Sequence, residues 1–168
     1  MNFDQSFELL IGNEGVYTKD PRDRSNWDSG RCNVGTLKGT KYGISAAQYP
    51  LENIKDLTIE RAKYLYRRDY WDKLNCDQFP QTISFDMFDM AVNSGVHMAA
   101  VTLQKTAHVL QDGQIGKQTL DAIYAMDKQL LDKRLNAYRL LYLCNLTDSF
   151  PTFGIGWVRR VANNLLLD

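Results

Sequence analysis

The chain has 168 residues, 44% of them hydrophobic, which suffices for a single domain with a proper core. Its 20 basic and 20 acidic side chains balance, so no overall charge recruits nucleic acid or an anionic membrane. Three cysteines cannot all pair within the chain, and their spacings match no zinc motif, so we expect a reduced cytoplasmic chain without metal or cofactor.

The first predicted element is an amphipathic helix that leads to Glu14. Apolar residues at i, i+4, i+7 and i+8 from Phe3 share one helical face, and Gly15 is a natural helix stop. A carboxyl group held against such a face is partly desolvated, which helps it to keep its proton as a general acid does. We therefore predict Glu14 to be a catalytic acid. The alternative is a solvated glutamate at a helix end.

A turn-rich run after Gly15 predicts a reversal of the chain. Pro21 prevents further helix, and the nine positions from Glu14 to Asp23 are enough to bring a second carboxylate across from the first. Asp20 could play the same part. Two carboxylates that face each other are the arrangement that hydrolyses a glycosidic bond.

Glycines punctuate the next stretch, and they predict a small β-hairpin or irregular β wing near residues 31–44. Strands this short need a helix to pack against. Trp27 and Tyr42 offer aromatic faces on which sugar rings could stack. A plain surface loop is the alternative explanation for the glycines.

Helices are predicted for the centre of the chain. Thr58 is the expected N-cap of a helix that runs to Leu74. A strongly apolar helix then ends at Asn93–Gly95, and another begins at Val96. Asn93 has two open interpretations, as a helix cap or as a partner for the acetamido group of a sugar.

The last third also predicts helices. Residues 112–116 form a turn that we interpret as a helix connector, with contact to the cell wall as the alternative. A long helix covers residues 130–142, and a break at 150–156 precedes a last apolar segment. That segment carries Arg159 and could touch a membrane, but docking onto the core is the favoured interpretation.

Several motifs occur in a characteristic order along the chain. Residues 14–17 read Glu-Gly-Val-Tyr, 20–23 Asp-Pro-Arg-Asp, 39–45 Gly-Thr-Lys-Tyr-Gly-Ile-Ser and 88–95 Phe-Asp-Met-Ala-Val-Asn-Ser-Gly. Together with Leu103-Gln104 and the 112–116 loop, they resemble the glycoside hydrolase family 108 N-acetylmuramidases, found among phage endolysins and secretion-associated muramidases. The family usually has a second glycine where this chain has Val16.

The resemblance implies a mainly α, lysozyme-like fold in one domain over residues 1–168. Its catalytic part would cover about 1–95, and a peptidoglycan-binding-like helical part about 96–168 would pack in the same domain. The family motif implies Glu14 as the acid. A likeness to phage-type lysozymes implies Asp23 as an electrostatic or basic group and Thr40 as the residue that positions water. The substrate-binding residues would be Tyr17, Tyr42, Asn93 and Gly95.

The implied activity is hydrolysis of peptidoglycan glycan strands by a monomer, between N-acetylmuramic acid and N-acetylglucosamine, with inversion slightly favoured. No signal peptide is recognisable, so we expect synthesis in the host cytoplasm and action on the wall after holin-type release or dedicated export. Two alternatives stay open. One is a non-catalytic peptidoglycan-binding or assembly protein, and the other is a lytic transglycosylase, which forms an anhydro product without water.

Overall fold

The protein is described here from a computed structural model, at residues 1–12 and 16–167. The chain divides into two compact units. We call Phe7–Arg68 the loop-rich unit, and Met1–Ser6 together with Asp69–Asp168 the helical unit. The expected mainly α fold with a small antiparallel sheet is confirmed. The organisation as a single domain stays a prediction.

Helices account for the larger part of both the N-terminal segment and the C-terminal hundred residues. In chain order they are α1 Phe3–Ile11, α2 Ile59–Tyr66, α3 Gln81–Ser94, α4 Val96–Thr106, α5 Lys117–Ala125, α6 Lys128–Cys144 and α7 Phe150–Leu165. Short 3₁₀ segments cover Arg24–Asn26 and Cys76–Gln78, and a π-helical segment covers Arg67–Trp71. The strands are β1 Thr40–Lys41 and β2 Ile44–Ser45.

The β element of the loop-rich unit is a two-residue hairpin. β1 and β2 pair antiparallel across Tyr42 and Gly43, whose φ angles of 51° and 71° are both positive. Such a turn matches the right-handed twist of paired strands, which is why it closes hairpins this short. The strands lie at the end of the predicted 31–44 wing and just beyond it, whereas residues 31–34 form bends and turns.

Helix α2 begins where the sequence indicates. Thr58 Oγ1 accepts a hydrogen bond from the Arg61 amide at 3.2 Å, which is the expected N-cap. The regular helix ends at Tyr66 rather than near Leu74, because the chain widens into the π-helical segment Arg67–Trp71. A π turn inserts one extra residue, and here two consecutive aromatic residues of that segment, Tyr70 and Trp71, are both buried.

The core of the helical unit centres on α3 and three aromatic rings. Phe3, Trp71 and Phe88 meet edge to face, with ring centroids 5.4 to 5.9 Å apart. Gly95, at φ +90°, separates α3 from α4 and confirms the predicted boundary. Residues at the helix interior such as Met87 are fully buried, so α3 is the central helix of this unit.

The predicted break at residues 150–156 is wrong, because α7 is continuous from Phe150 to Leu165. Pro151 lies in the first turn, where an amide hydrogen has no helical partner, so the proline costs no hydrogen bond. Gly154 is buried, and a Cβ there would come within 2.8 Å of the Phe150 ring. α7 packs on α6, and none of the described helices is long and apolar enough to cross a membrane.

Candidate functional site

Asn26 is the centre of a hydrogen-bonded cluster in the loop-rich unit. Its side chain is 1% exposed and its amide nitrogen donates to the Asp20 carbonyl oxygen at 3.0 Å. The backbone carbonyl oxygen of Asn26 accepts from the amides of Lys38 and Gly39, both at 2.9 Å. Asn26 therefore joins two further loop segments to its own, through its side chain at Asp20 and through its backbone at Lys38 and Gly39.

The same side chain orients Thr40. Thr40 Oγ1 donates to Asn26 Oδ1 at 2.7 Å, and its backbone pairs with Thr18 through two 2.9 Å hydrogen bonds. Because a hydroxyl group has a single proton, Thr40 Oγ1 can then only accept from a further partner. A half-buried hydroxyl in this state is a fixed acceptor for water.

Asp23 lies at the start of the short 3₁₀ segment that contains Asn26. Asp23 Oδ1 accepts from the Ser25 amide at 2.9 Å, as an N-cap does, and the Asp23 carbonyl oxygen accepts from the Asn26 amide at 3.1 Å. The side chain is exposed, and among the described residues none donates to its Oδ2. The structure thus brings Asp23 and Thr40 into one cluster through Asn26.

Asp20, the alternative second carboxylate, is already paired. Arg22 donates to both of its carboxylate oxygens, at 2.7 to 3.2 Å. Hydrogen bonds from the Arg22 side chain and backbone lower the pKa of Asp20 to about 2. A carboxylate held by a cation in this way is a weak proton acceptor, which favours Asp23 over Asp20 as the group that assists water.

Tyr17 is anchored beside the cluster. Its hydroxyl donates to the Lys38 carbonyl oxygen at 3.0 Å, and its ring lies close against Gly39. A Cβ at Gly39, where φ is +89°, would come within 2.6 Å of that ring and 2.3 Å of the Thr18 carbonyl oxygen. Glycine is therefore required here so that the chain can pass under Tyr17 and reach Thr40.

The predicted acid, Glu14, lies outside the described residues, together with its neighbours Asn13 and Gly15. What the structure describes is the approach to them: α1 ends at Ile11, and Gly12 takes a φ of +53°. The role of Glu14 therefore stays a prediction.

A pocket of about 400 Å³ opens on the same unit, beside Tyr17. Three lysines, three aliphatic residues and two polar residues line the rest of it: Lys19, Lys38, Lys55, Leu37, Leu51, Ile54, Glu52 and Asn53. The pocket is open to solvent rather than enclosed, so a polymer could lie across it.

Tyr42, the predicted stacking residue, is half-buried in the β turn. The Lys41 ammonium lies 5.3 Å from the centre of the Tyr42 ring. The Tyr42 carbonyl oxygen accepts from the Tyr66 hydroxyl at 3.2 Å. The hydrogen bond from Tyr66 fixes the turn, and the Lys41 ammonium lies near the Tyr42 ring. Sugar stacking at Tyr42 stays a prediction.

Asn93 and Gly95, the other predicted substrate-binding residues, belong to the helical unit. The Asn93 side-chain nitrogen donates to the Asp89 carbonyl oxygen at 2.7 Å and to its Oδ1 at 3.2 Å, inside the last turns of α3. Asn93 is exposed, and a Cβ at Gly95 would have open space around it. The two interpretations of Asn93 therefore stay open.

The sequence reasoning missed a buried charge cluster in the helical unit. Asp86 and Asp89 of α3 bind side chains of α6 and α7, namely Asn136, Arg139, Arg160 and Asn164. Burial raises the pKa of Asp86. Two acidic residues three positions apart inside a strongly apolar helix were the signal that could have revealed this cluster.

The 112–116 loop is held from within as a connector. Gln104, 1% exposed on α4, donates to Asp112 Oδ1 at 2.6 Å and to the Gln114 carbonyl oxygen at 3.0 Å, and accepts from the Gly113 amide at 2.8 Å. These bonds close the turn between α4 and α5. They agree with the connector interpretation of this motif.

The cysteines and histidines contribute no evident chemistry. Cys32 and Cys144 are exposed and Cys76 is buried, and all three are free thiols. His108 Nε2 lies 3.0 Å from an Arg134 nitrogen. Within the described part of the chain, no three His, Cys, Asp or Glu side chains gather where a metal could bind.

Comparisons with known proteins divide the chain near the α3–α4 boundary. A family described as Glycosyl hydrolase 108 matches residues 7–95, and one described as Predicted Peptidoglycan domain matches residues 98–162. Among solved structures, SagA of Brucella abortus is 31% identical, with a TM-score of 0.78, over 96% of this chain and 90% of that chain. None of the curated proteins compared with the chain matches it.

Proposed function

The chain belongs to the glycosyl hydrolase 108 family, and on that premise we propose that it is an N-acetylmuramidase. Membership makes it a glycoside hydrolase, and the peptidoglycan-domain match makes peptidoglycan its partner. The proposed reaction is hydrolysis of the β-1,4 bond between N-acetylmuramic acid and N-acetylglucosamine. One observation in particular supports it: the Asn26 cluster orients Thr40 and holds Asp23 nearby within the family-matching segment.

Glu14 is the proposed general acid. It gives its proton to the glycosidic oxygen as the bond to the anomeric carbon breaks, so that the leaving sugar departs as an alcohol. The positive charge that develops on the remaining sugar ring is stabilised by the ionised Asp23.

Thr40 and Asp23 together suit the activation of water. Since the Thr40 proton is donated to Asn26, Thr40 can accept one proton of a water molecule, while the free Oδ2 of Asp23 accepts the other. Both lone pairs of that water are then available for the anomeric carbon. Attack transfers one water proton to Asp23, and the product carries a new reducing end. We propose inversion of configuration, because a separate water is activated opposite the leaving group.

The biological setting that we propose is host-cell lysis by a phage endolysin, with the chain acting as a monomer. The protein would be made in the host cytoplasm and reach the wall after holin-type release or dedicated export. Expression with and without a holin tests this: lysis of the host only when both are present supports the proposal.

The deciding experiment is mass spectrometry of fragments released from purified peptidoglycan by the wild type and by Glu14→Gln. We expect reducing-end muramic acid from the wild type, and a loss of about 10²- to 10⁴-fold in the variant, because Gln cannot supply the proton. Anhydro ends would instead identify a transglycosylase. Unchanged binding without any fragments would identify the non-catalytic alternative that the peptidoglycan-domain match also allows.

Thr40→Val and Thr40→Ser test how water is positioned. Val removes the hydroxyl at nearly equal size, and we expect the rate to fall about a hundredfold, as for a misplaced reactant. Ser keeps the hydroxyl, so its rate should stay within a few-fold of the wild type. Equal losses in both variants would show that the methyl packing of Thr40, rather than its oxygen, matters.

A further inference from the structure

We infer that the pocket beside Tyr17 binds a carboxylate-bearing part of the peptide stem that is attached to muramic acid in peptidoglycan. This inference rests on the proposed function and adds to it a substrate preference. It assigns a ligand to a surface that takes no part in the bond cleavage described above.

The charges around the pocket leave two lysines uncompensated. The single carboxylate of its lining, Glu52, binds Arg61 at 2.6 Å, and that hydrogen bond lowers the pKa of Glu52. Lys38 donates to the Pro50 carbonyl oxygen and lies 3.5 Å from Asp28. By contrast, Lys19 and Lys55 are exposed, and neither ammonium contacts a partner among the described residues.

A third ammonium and one further carboxylate lie close by. Lys41 Nζ donates to the Lys55 carbonyl oxygen at 3.2 Å, so its charge lies next to the pocket. Asp56 Oδ2 accepts from the Asn53 side chain at 3.0 Å, which ties this carboxylate to an amide rather than to a lysine. The balance around the opening is therefore positive, although the chain as a whole is neutral.

Part of the pocket lining is apolar, which restricts the class of ligand that suits it. Leu37, Leu51 and Ile54 line it, and the Leu51 side chain is 99% exposed. Apolar surface next to free ammonium groups suits a short peptide that combines alkyl groups with carboxylates. An uncharged sugar would form no ion pair with the lysines, and a phosphate polymer would bury none of the leucine side-chain surface.

The location of the pocket fits a branch of the substrate. Tyr17 lines the pocket and donates to the Lys38 carbonyl oxygen, while the next residue, Thr18, pairs with Thr40. The pocket therefore lies beside a segment, Tyr17–Thr18, that pairs directly with Thr40, the residue proposed to hold the attacking water. The peptide stem is joined to the muramic acid whose bond is cut, so it extends from the substrate close to the point of cleavage.

The test compares two substrates, intact peptidoglycan and glycan strands from which an amidase has removed the peptides. For the wild type we expect a higher kcat/KM on the intact polymer. In Lys19→Gln/Lys55→Gln the ratio of the two values should fall about five- to tenfold, as expected for the loss of two exposed ion pairs. Raising the salt concentration should lower the wild-type ratio too.

The matched control is Arg31→Gln/Lys73→Gln, which removes the same charge from exposed positions outside the pocket lining and outside the peptidoglycan-domain match. Its ratio should equal that of the wild type. All four positions are exposed, so the variants should fold normally. A ratio in the pocket variant that equals the control's would overturn the inference.

A binding measurement separates this inference from the proposed activity. A soluble tripeptide of alanine, γ-linked glutamate and diaminopimelate is titrated into the labelled full chain and followed by NMR. Shifts at residues 17–19 and 51–55 that disappear in the pocket variant support the inference even if no glycan is cut. No shifts in the wild type would overturn it, whatever the outcome for hydrolysis.

Discussion

The two units both place a buried polar group at their centre, but they use it differently. In the loop-rich unit, the uncharged Asn26 side chain bonds the Asp20 backbone carbonyl oxygen and the Thr40 hydroxyl, while the Asn26 backbone bonds the amides of Lys38 and Gly39. In the helical unit, the charged Asp89 bonds to side chains from two other helices. The sequence separations of the bonded residues differ as well. They are six and 14 residues for the Asn26 side chain. They are 50 to 78 residues for the bonds between α3 and its partners on α6 and α7.

The difference follows from the backbone. A helix satisfies its own amide and carbonyl groups, so its buried polar side chains are free to join one helix to another. A loop has no such internal ladder, so a buried side chain can also bond backbone groups, as Asn26 does at the Asp20 carbonyl oxygen. The polar bonds around Asn26 in the loop-rich unit are consequently local in sequence, whereas the charged bonds of the helical unit join distant segments.

The largest effect is expected from Arg139→Met in the helical unit. Arg139 is 3% exposed, bonds Asp89 and lies 3.7 Å from Asp86. Without it, two buried carboxylates lose their shared cation, so the free energy of unfolding should fall by about 3–5 kcal/mol. Urea denaturation at neutral pH measures this.

The control for that variant is Lys117→Met, which breaks an exposed pair with Asp121. Its free energy of unfolding should change by less than about 1 kcal/mol. If the two variants lost equal amounts, the buried cluster would contribute no more than a surface pair, and the contrast between the units would fail.

A smaller effect is expected from Asn26→Ala in the loop-rich unit. The substitution removes one of the two donors to the Asp20 carbonyl oxygen and leaves the Thr40 hydroxyl without the Asn26 acceptor, which should cost about 1–3 kcal/mol. Hydrogen exchange should accelerate at residues 18 and 38–40 while α3 stays protected. Asn53→Ala, an exposed amide in the same unit, should change neither quantity. Faster exchange throughout α3 would contradict a local role for Asn26.

The smallest effect is a pH dependence at Asp86. Because burial raises its pKa above the ordinary 3.8, the folded state holds this proton more tightly than the unfolded state does. The resulting stability is present below pH 3.8 and is lost as the pH rises through the raised value. The groups that face it are Asn136, Asn164, Arg139 and Asp89.

Asp86→Asn should remove that loss. Compared with the wild type, the variant should become relatively more stable between pH 4 and pH 7, by on the order of 1 kcal/mol. Urea midpoints at the two pH values measure the change. A difference between variant and wild type that is constant with pH would show that Asp86 does not titrate across this range.

Much of the fold could be predicted, because it depends on local pattern. The Thr58 cap, the Gly95 boundary and the long helix α6 follow from residues that are close in sequence. The error at residues 150–156 came from treating a proline as a helix breaker without regard to its place in the first turn. The resemblance in the motifs is confirmed by the family match over residues 7–95.

The site was predicted only as a set of residues. Asp23 and Thr40 were singled out from motif likeness, but nothing local indicated that Asn26 would join them. The likeness to phage-type lysozymes singled out Asp23, and the Arg22 pair at Asp20 adds a physical argument for that prediction. The roles of Glu14, Asp23 and Thr40 in catalysis stay predictions that the variants above test.

The sequence by itself determined the helical class, the helix boundaries at Thr58 and Gly95, and the family, since periodicity, caps and motifs depend on neighbouring residues. Only the tertiary structure decided which polar groups meet. It joined Thr40 to Asn26, Asp89 to Arg139 and the lysines to one pocket, because such pairs depend on how distant segments pack. A buried polar group needs a partner, but its own sequence neighbours do not specify which one.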